Sequence, residues 1–192
     1  MESIQNYFVN NLKINELFDT LQKVVDFYGS YVSNCIISKK LDLRPVYKKS
    51  FGGKALGYYR YTFTSIIELY YVDELLDKGT LDCVFVHELA HFIDHVRAEK
   101  YPRANFASSV NGTKERAIIE LFRSLMVPFP KKRTNYRGRT CELFARAIEE
   151  YYAIKTNNKK WYSTQFSDFY IDLEKYKKVV YPVVKNYLEN LK

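Results

Sequence analysis

The chain has 192 residues, 47% hydrophobic and 17% aromatic, enough apolar material for one substantial core and a single domain spanning 1–192. Thirty Lys and Arg against 22 Asp and Glu leave a formal charge of +8, which permits attraction to nucleic acid, anionic membrane or acidic protein and singles out none of them. Eighteen Tyr and 13 Phe argue against a disordered basic tail, and three cysteines, Cys35, Cys83 and Cys141, are too few for a disulfide-rich scaffold.

From the amino end, MESIQNYFVNNLKINELF has neither the basic start nor the apolar run of a secretory signal, so a reducing, cytoplasmic location is expected, although a trimmed secreted form would read the same way. No segment has the uninterrupted apolar length of a membrane span, and no stable membrane insertion is expected. Leu17, Leu21, Val24, Val25, Tyr28, Val32 and Cys35 recur at three- and four-residue intervals and predict an amphipathic helix over 12–40, with Gly29 as a point of interruption. Residues 41–74 turn to β-branched and aromatic types punctuated by Gly52, Gly53 and Gly57, the pattern of two or three strands. Ser65 to Val72 is the clearest of them. Thr80 can cap a helix that runs through LDCVFVHELAHFIDHVRAEKYP and stops near Pro102. Thr113 to Met126 predicts a further helix, VPFPKKRTNYRGR a loop, and Cys141 to about Lys155 another helix. In 168–191 a last helical pattern is kinked or restarted by Pro182. The sum is an α+β fold, mainly helical, with a small mixed sheet ahead of the central helix.

That central helix carries His87-Glu88-Leu89-Ala90-His91. Four-residue spacing points both imidazoles to one face, where they can ligate Zn2+, while the carboxylate of Glu88 can move a proton to and from water. A third ligand from a separate element would leave one coordination position open, and Glu142, in the first turn of its helix, suits that role; Glu149 and Glu150 are rivals further along the same helix. Asp94 lies on the stripe of His87 and His91 and could accept a hydrogen bond from a ligand imidazole, cap an adjacent loop or pair with Arg97. His95 drifts off the stripe and reads as structural. Cys83, His87 and His91 form a stripe of their own that would converge poorly on one ion, and Cys141 reads as a half-buried residue.

HELAHFIDH together with NYRGRTCELFARAIEEYY resembles the gluzincin group of zincin metallopeptidases, above all the family of the anthrax lethal factor catalytic domain, across residues 55–155. The resemblance implies a zincin-like fold with His87, His91 and Glu142 on zinc, Glu88 as the base that activates water, and Asp94 as support. It also implies a tyrosine ahead of the third ligand that steadies the oxyanion, for which Tyr136 is the nearest match. A phenol near a metal can donate to such an oxygen. A glutamate-leucine-phenylalanine-alanine-arginine segment also occurs in metallopeptidase-like domains of phage and plasmid polyvalent proteins, which leaves a viral or mobile-element role and a host-cytoplasm location open. In the similar fold the strand before the motif helix often forms the edge along which a peptide is laid, here Ser65 to Val72.

The expected function is therefore zinc-dependent endopeptidase activity on a protein or peptide substrate. The alternative is a metal-stabilised module that binds nucleic acid or protein without cleaving it. Lys131, Lys132, Arg133, Arg137 and Arg139 around Tyr136 motivate the nucleic-acid version, although a solvated surface explains such a loop equally simply. Oligomeric state is not readable from these features.

Overall fold

The computed structural model describes residues 14–47, 56–61, 64–71, 80–128, 140–158 and 169–191. The predicted first helix is two: α1 (Ile14–Tyr28) and α2 (Ser30–Ser38) are separated by Gly29 at φ 83°, a left-handed conformation that glycine adopts without strain. Val24, Val25 and Val32 on their apolar faces are buried.

A three-stranded sheet follows, made of β1 (Asp42–Tyr47), β2 (Gly57–Tyr61) and β3 (Ser65–Tyr71) in the order β1-β3-β2. β1 runs parallel to β3, with Asp42 opposite Ile66, and β2 runs antiparallel to it, with Gly57 opposite Leu69. The expectation that Ser65 to Val72 forms the edge is thus corrected: β3 is a central strand, its backbone engaged on both sides, and among the described residues the edges are β1 and β2. Ile67 and Leu69 of β3 are fully buried, as a central strand over a core requires. On β2, Gly57 and Tyr59 face inward while Tyr58 and Arg60 face out, where Arg60 pairs with Glu68.

The central helix is α3 (Thr80–Ala98). It is buried around most of its circumference, through Phe85, Val86, Leu89, Ala90, Phe92 and Ile93, because it lies between β2 and β3 of the sheet, α1 and a later helix, α5 (Thr140–Lys155). It ends short of Pro102, the chain tightening as the Tyr101 N–H bonds to the Ala98 carbonyl at 2.8 Å. A short 3-10 turn, Ala107–Ser109, then leads to α4 (Lys114–Leu125), capped by the Thr113 hydroxyl accepting from the Arg116 N–H at 3.1 Å.

Met126, expected to end that helix, instead opens β4 (Met126–Pro128), which pairs antiparallel with β5 (Phe169–Ile171). Asp172 caps α6 (Leu173–Val179), and Val180 separates it from α7 (Tyr181–Glu189). Pro182 sits in the first turn of α7, where its missing N–H costs no helical bond, so it restarts rather than kinks the helix.

The architecture is α+β, mostly helical, with a small mixed sheet before the motif helix. Buried side chains from α1 through α7 join in one cluster. Several tyrosines tie it together by donating from inside the core: Tyr28 to the Val86 carbonyl at 2.8 Å, Tyr176 to the Ala147 carbonyl at 2.6 Å, and Tyr187 to the Glu115 carboxylate at 2.9 Å. Two of these bonds land on α3 and α5, within a residue or two of charged side chains that face one another across those helices. Among the described residues, no helix is long and apolar enough to cross a membrane.

Candidate metal centre

α3 and α5 pack directly on each other, and the motif face of α3 meets the first two turns of α5. The four-residue step from His87 to His91 brings the two Nε2 atoms to 3.2 Å from one another. Glu142, in the first turn of α5, closes the group: its Oε2 is 3.5 Å from His87 Nε2 and its Oε1 is 3.3 Å from His91 Nε2. One donor atom from each of the three residues lies within 4.8 Å of the others, so they form a group that could hold a metal ion.

The spacing of the group is as compatible with an ion as it is with a hydrogen bond between the rings. A tetrahedral ion with nitrogen ligands at 2.0–2.1 Å separates them by about 3.3 Å, close to the observed 3.2 Å. Three carboxylates, Glu88, Glu142 and Glu149, with Arg146 3.8 Å from Glu149, stand around the two imidazoles, and a divalent cation would offset part of the negative charge. Nitrogen and oxygen donors of this kind accept several first-row metals.

Glu149 has a different role from the one weighed for it as a rival ligand. Seven residues after Glu142, it is two turns along the same face of α5, and its Oε2 meets His87 Nδ1 at 2.7 Å. The His87 ring is thus gripped on both nitrogens from one helix. With Nδ1–H donated to Glu149, Nε2 presents its lone pair toward His91 and Glu142. Burial works to lower the His87 value, but Glu149 and Glu142 overcome it and push it up to about 10. Burial alone would raise the Glu142 value, yet the two imidazoles hold its carboxyl well below the usual range.

Glu88 points toward the sheet side of the same region. Only 7% of the residue is exposed, and burial raises its value against the pull of His87 and His91. The nearby Tyr59 backbone N–H also pulls that value down, less than the imidazoles do.

Asp94 departs from the expectation of an imidazole partner. Its Oδ1 accepts from the Ser108 N–H at 2.7 Å and its Oδ2 from the Ser108 hydroxyl at 2.5 Å. Burial pushes its value up to about 7 in spite of those donors. Asp94 therefore caps the 3-10 turn, the loop-capping option for this residue, while Arg97 pairs with Glu115 at 3.2 Å. Phe106, next to that turn, has its ring centroid 6.2 Å from that of His91, which is the route by which the turn reaches the centre.

His95 stands outside the donor group: its Nδ1 bonds to the Asn105 carbonyl at 2.9 Å and its ring stacks on Tyr61 at 4.4 Å. Cys83 is fully buried, with the Asn158 amide 3.6 Å from its sulfur, and is not part of the group either. Tyr136 and the basic run 131–139 lie outside the described residues. Sequence reasoning missed Ser108, whose only signal was a small hydroxyl in a loop, and Gly57, read as a turn point. Comparison with protein-family models, with curated proteins and with solved structures gives no match.

Proposed function

We propose that the protein is a zinc-dependent endopeptidase of the zincin type, hydrolysing a peptide bond without a covalent enzyme intermediate. The observation that supports this most is the convergence of His87 Nε2, His91 Nε2 and the Glu142 carboxylate from two packed helices, beside a buried carboxylate, Glu88, that is not itself a member of the donor group. Zinc held by His87, His91 and Glu142 would supply Lewis acidity toward water and toward a peptide carbonyl oxygen.

The chain's own groups do the rest. Glu88 takes a proton from the attacking water and returns it to the departing nitrogen, a role suited to a carboxylate whose value burial raises. Glu149 fixes the tautomer and direction of His87. Phe106 lies edge-on against the His91 ring, the centroids 6.2 Å apart. Among the described residues β2 is an edge strand bordering Glu88, a place where an extended substrate could pair. Tyr136 remains the candidate donor to the oxyanion on grounds of resemblance.

The test is metal analysis of the purified protein with a peptide-library screen, using Glu88→Gln as the control. The expected result is one zinc per chain in both proteins and a loss of hydrolysis in the variant on the order of 10²–10⁴-fold. A zinc-loaded wild type that cleaves no peptide would favour the metal-stabilised binding module, and a fully active Glu88→Gln would remove the base from the mechanism.

A further inference from the structure

β2 and α3 approach each other most closely at Gly57. A methyl group placed there would lie 2.7 Å from Val84 Cγ1, 2.9 Å from Glu88 Cγ and 3.1 Å from Glu88 Oε1. Carbon contacts that short do not persist, so any side chain at 57 must displace Val84, Glu88 or the strand. The strand has little room to retreat. Just before Gly57 the Tyr70 N–H bonds to the Leu56 carbonyl at 2.8 Å, and Gly57 itself sits opposite Leu69 in the ladder. Two residues on, the Tyr59 ring packs edge-on against Phe92 with centroids 6.2 Å apart, and its hydroxyl is 3.1 Å from the Ser65 hydroxyl.

Into this fixed gap between strand and helix goes the Glu88 side chain, its Cγ and Oε1 both against the place a Cβ at 57 would take, and the Tyr59 N–H is near enough to its carboxylate to lower its value. Gly57 is on the inward phase of β2, so the room left by its missing side chain lies on the side where Glu88 packs. A glutamate has three rotatable bonds and loses most of its usefulness as a base when it wanders.

We infer that Gly57 is a positioning residue for the proposed reaction: the notch it leaves, together with the Tyr59 N–H, confines the Glu88 carboxylate to the one orientation in which it can exchange a proton at the metal centre. This rests on the peptidase reading, and it assigns to β2 a part in the chemistry separate from any substrate pairing along its edge. A simpler role for Gly57 is to make room for Val84 alone, and the two are separable because the contacts with Val84 and with Glu88 are independent.

The experiment compares wild type, Gly57→Ala, Gly57→Ala/Val84→Ala and Glu88→Ala. Zinc content, thermal midpoint, kcat and KM are read on the zinc-loaded proteins, and the Tyr59 amide is followed by proton–nitrogen correlation spectra and hydrogen exchange on the metal-free ones. We expect Gly57→Ala to keep its zinc and lose kcat on the order of 100-fold, with KM little changed. Adding Val84→Ala should recover the thermal midpoint and leave kcat low. The wild-type Tyr59 amide should be protected from exchange, and Glu88→Ala and both Gly57 variants should remove that protection. Full kcat in Gly57→Ala, recovery of kcat in the double variant, or a Tyr59 amide that exchanges alike in wild type and Glu88→Ala would each overturn the inference. The last comparison needs no Gly57 variant to fold. A wild type that cleaves no peptide would instead count against the peptidase reading, leaving the amide data to judge the notch by itself.

Discussion

His87 carries the largest electrostatic burden in the centre, with one carboxylate at each ring nitrogen. In the metal-free protein its value of about 10 lies above the ordinary 6.5, so its contribution to stability is complete below about pH 6.5 and is lost as pH climbs through 10. A metal ion arriving at neutral pH must displace that proton. Binding should therefore release about one proton per ion, and apparent affinity should rise with pH until His87 is deprotonated. Calorimetric titration of zinc in buffers of different ionisation enthalpy measures the release directly. Glu149→Ala should reduce the release and weaken zinc by about 10–100-fold, whereas Glu142→Ala should abolish stoichiometric binding, as competition with a chelator would show. Equal affinities for wild type and Glu149→Ala would mean that the 2.7 Å contact at Nδ1 does nothing for the metal.

Among the elements, the 3-10 turn is the piece whose purpose was least visible before the structure. Asp94 buries both oxygens against Ser108. Ser108→Ala removes a hydroxyl donor from a buried carboxylate and should cost about 1–3 kcal/mol in urea unfolding, with zinc stoichiometry unchanged because no donor atom moves. Loss of zinc in that variant would place the turn closer to the metal than packing through Phe106 implies. The helices α3, α4 and α5 were legible in the sequence because apolar residues at three- and four-residue steps and a motif with fixed spacing speak of one element at a time. The pairing of β1 with β3 was not, since a strand pattern records burial without naming its neighbour. Likewise the face shared by His87, His91 and Asp94 told where Asp94 points along the helix but not that a loop 14 residues on would meet it. Glu142 was preferred over Glu149 by its place in the first turn and by the resemblance, but that Glu149 meets His87 Nδ1 needed the packing of α3 on α5, which no local spacing contains.

Across the whole molecule the high tyrosine count acquires a physical use. Burial holds the Tyr28, Tyr176 and Tyr187 phenols well above the ordinary value of 10, and it pushes Tyr59 up to about 12. An unfolded chain releases these protons from about pH 10 while the folded one retains them, so stability should fall steadily above pH 10. Tyrosinate absorbance from the buried set and loss of helical circular dichroism should then appear together in one alkaline transition; phenols that ionise well before the helices melt would contradict their burial. Tyr28 and Tyr176 also explain how two site helices keep their axial positions, since each accepts a phenol from a different neighbour at a main-chain carbonyl.

The placing of the donors on α3 and α5 sets a time order for synthesis. A ribosome that has delivered α3 has released both imidazoles, yet the carboxylates of Glu142 and Glu149 follow only after some fifty more residues, and the α6–α7 segment that braces α5 comes later still. An emerging chain that has not yet reached α5 therefore holds the two imidazoles without the carboxylates that face them. Any ion that needs the whole donor group would have to wait for α5, and a product truncated before it would lack that group.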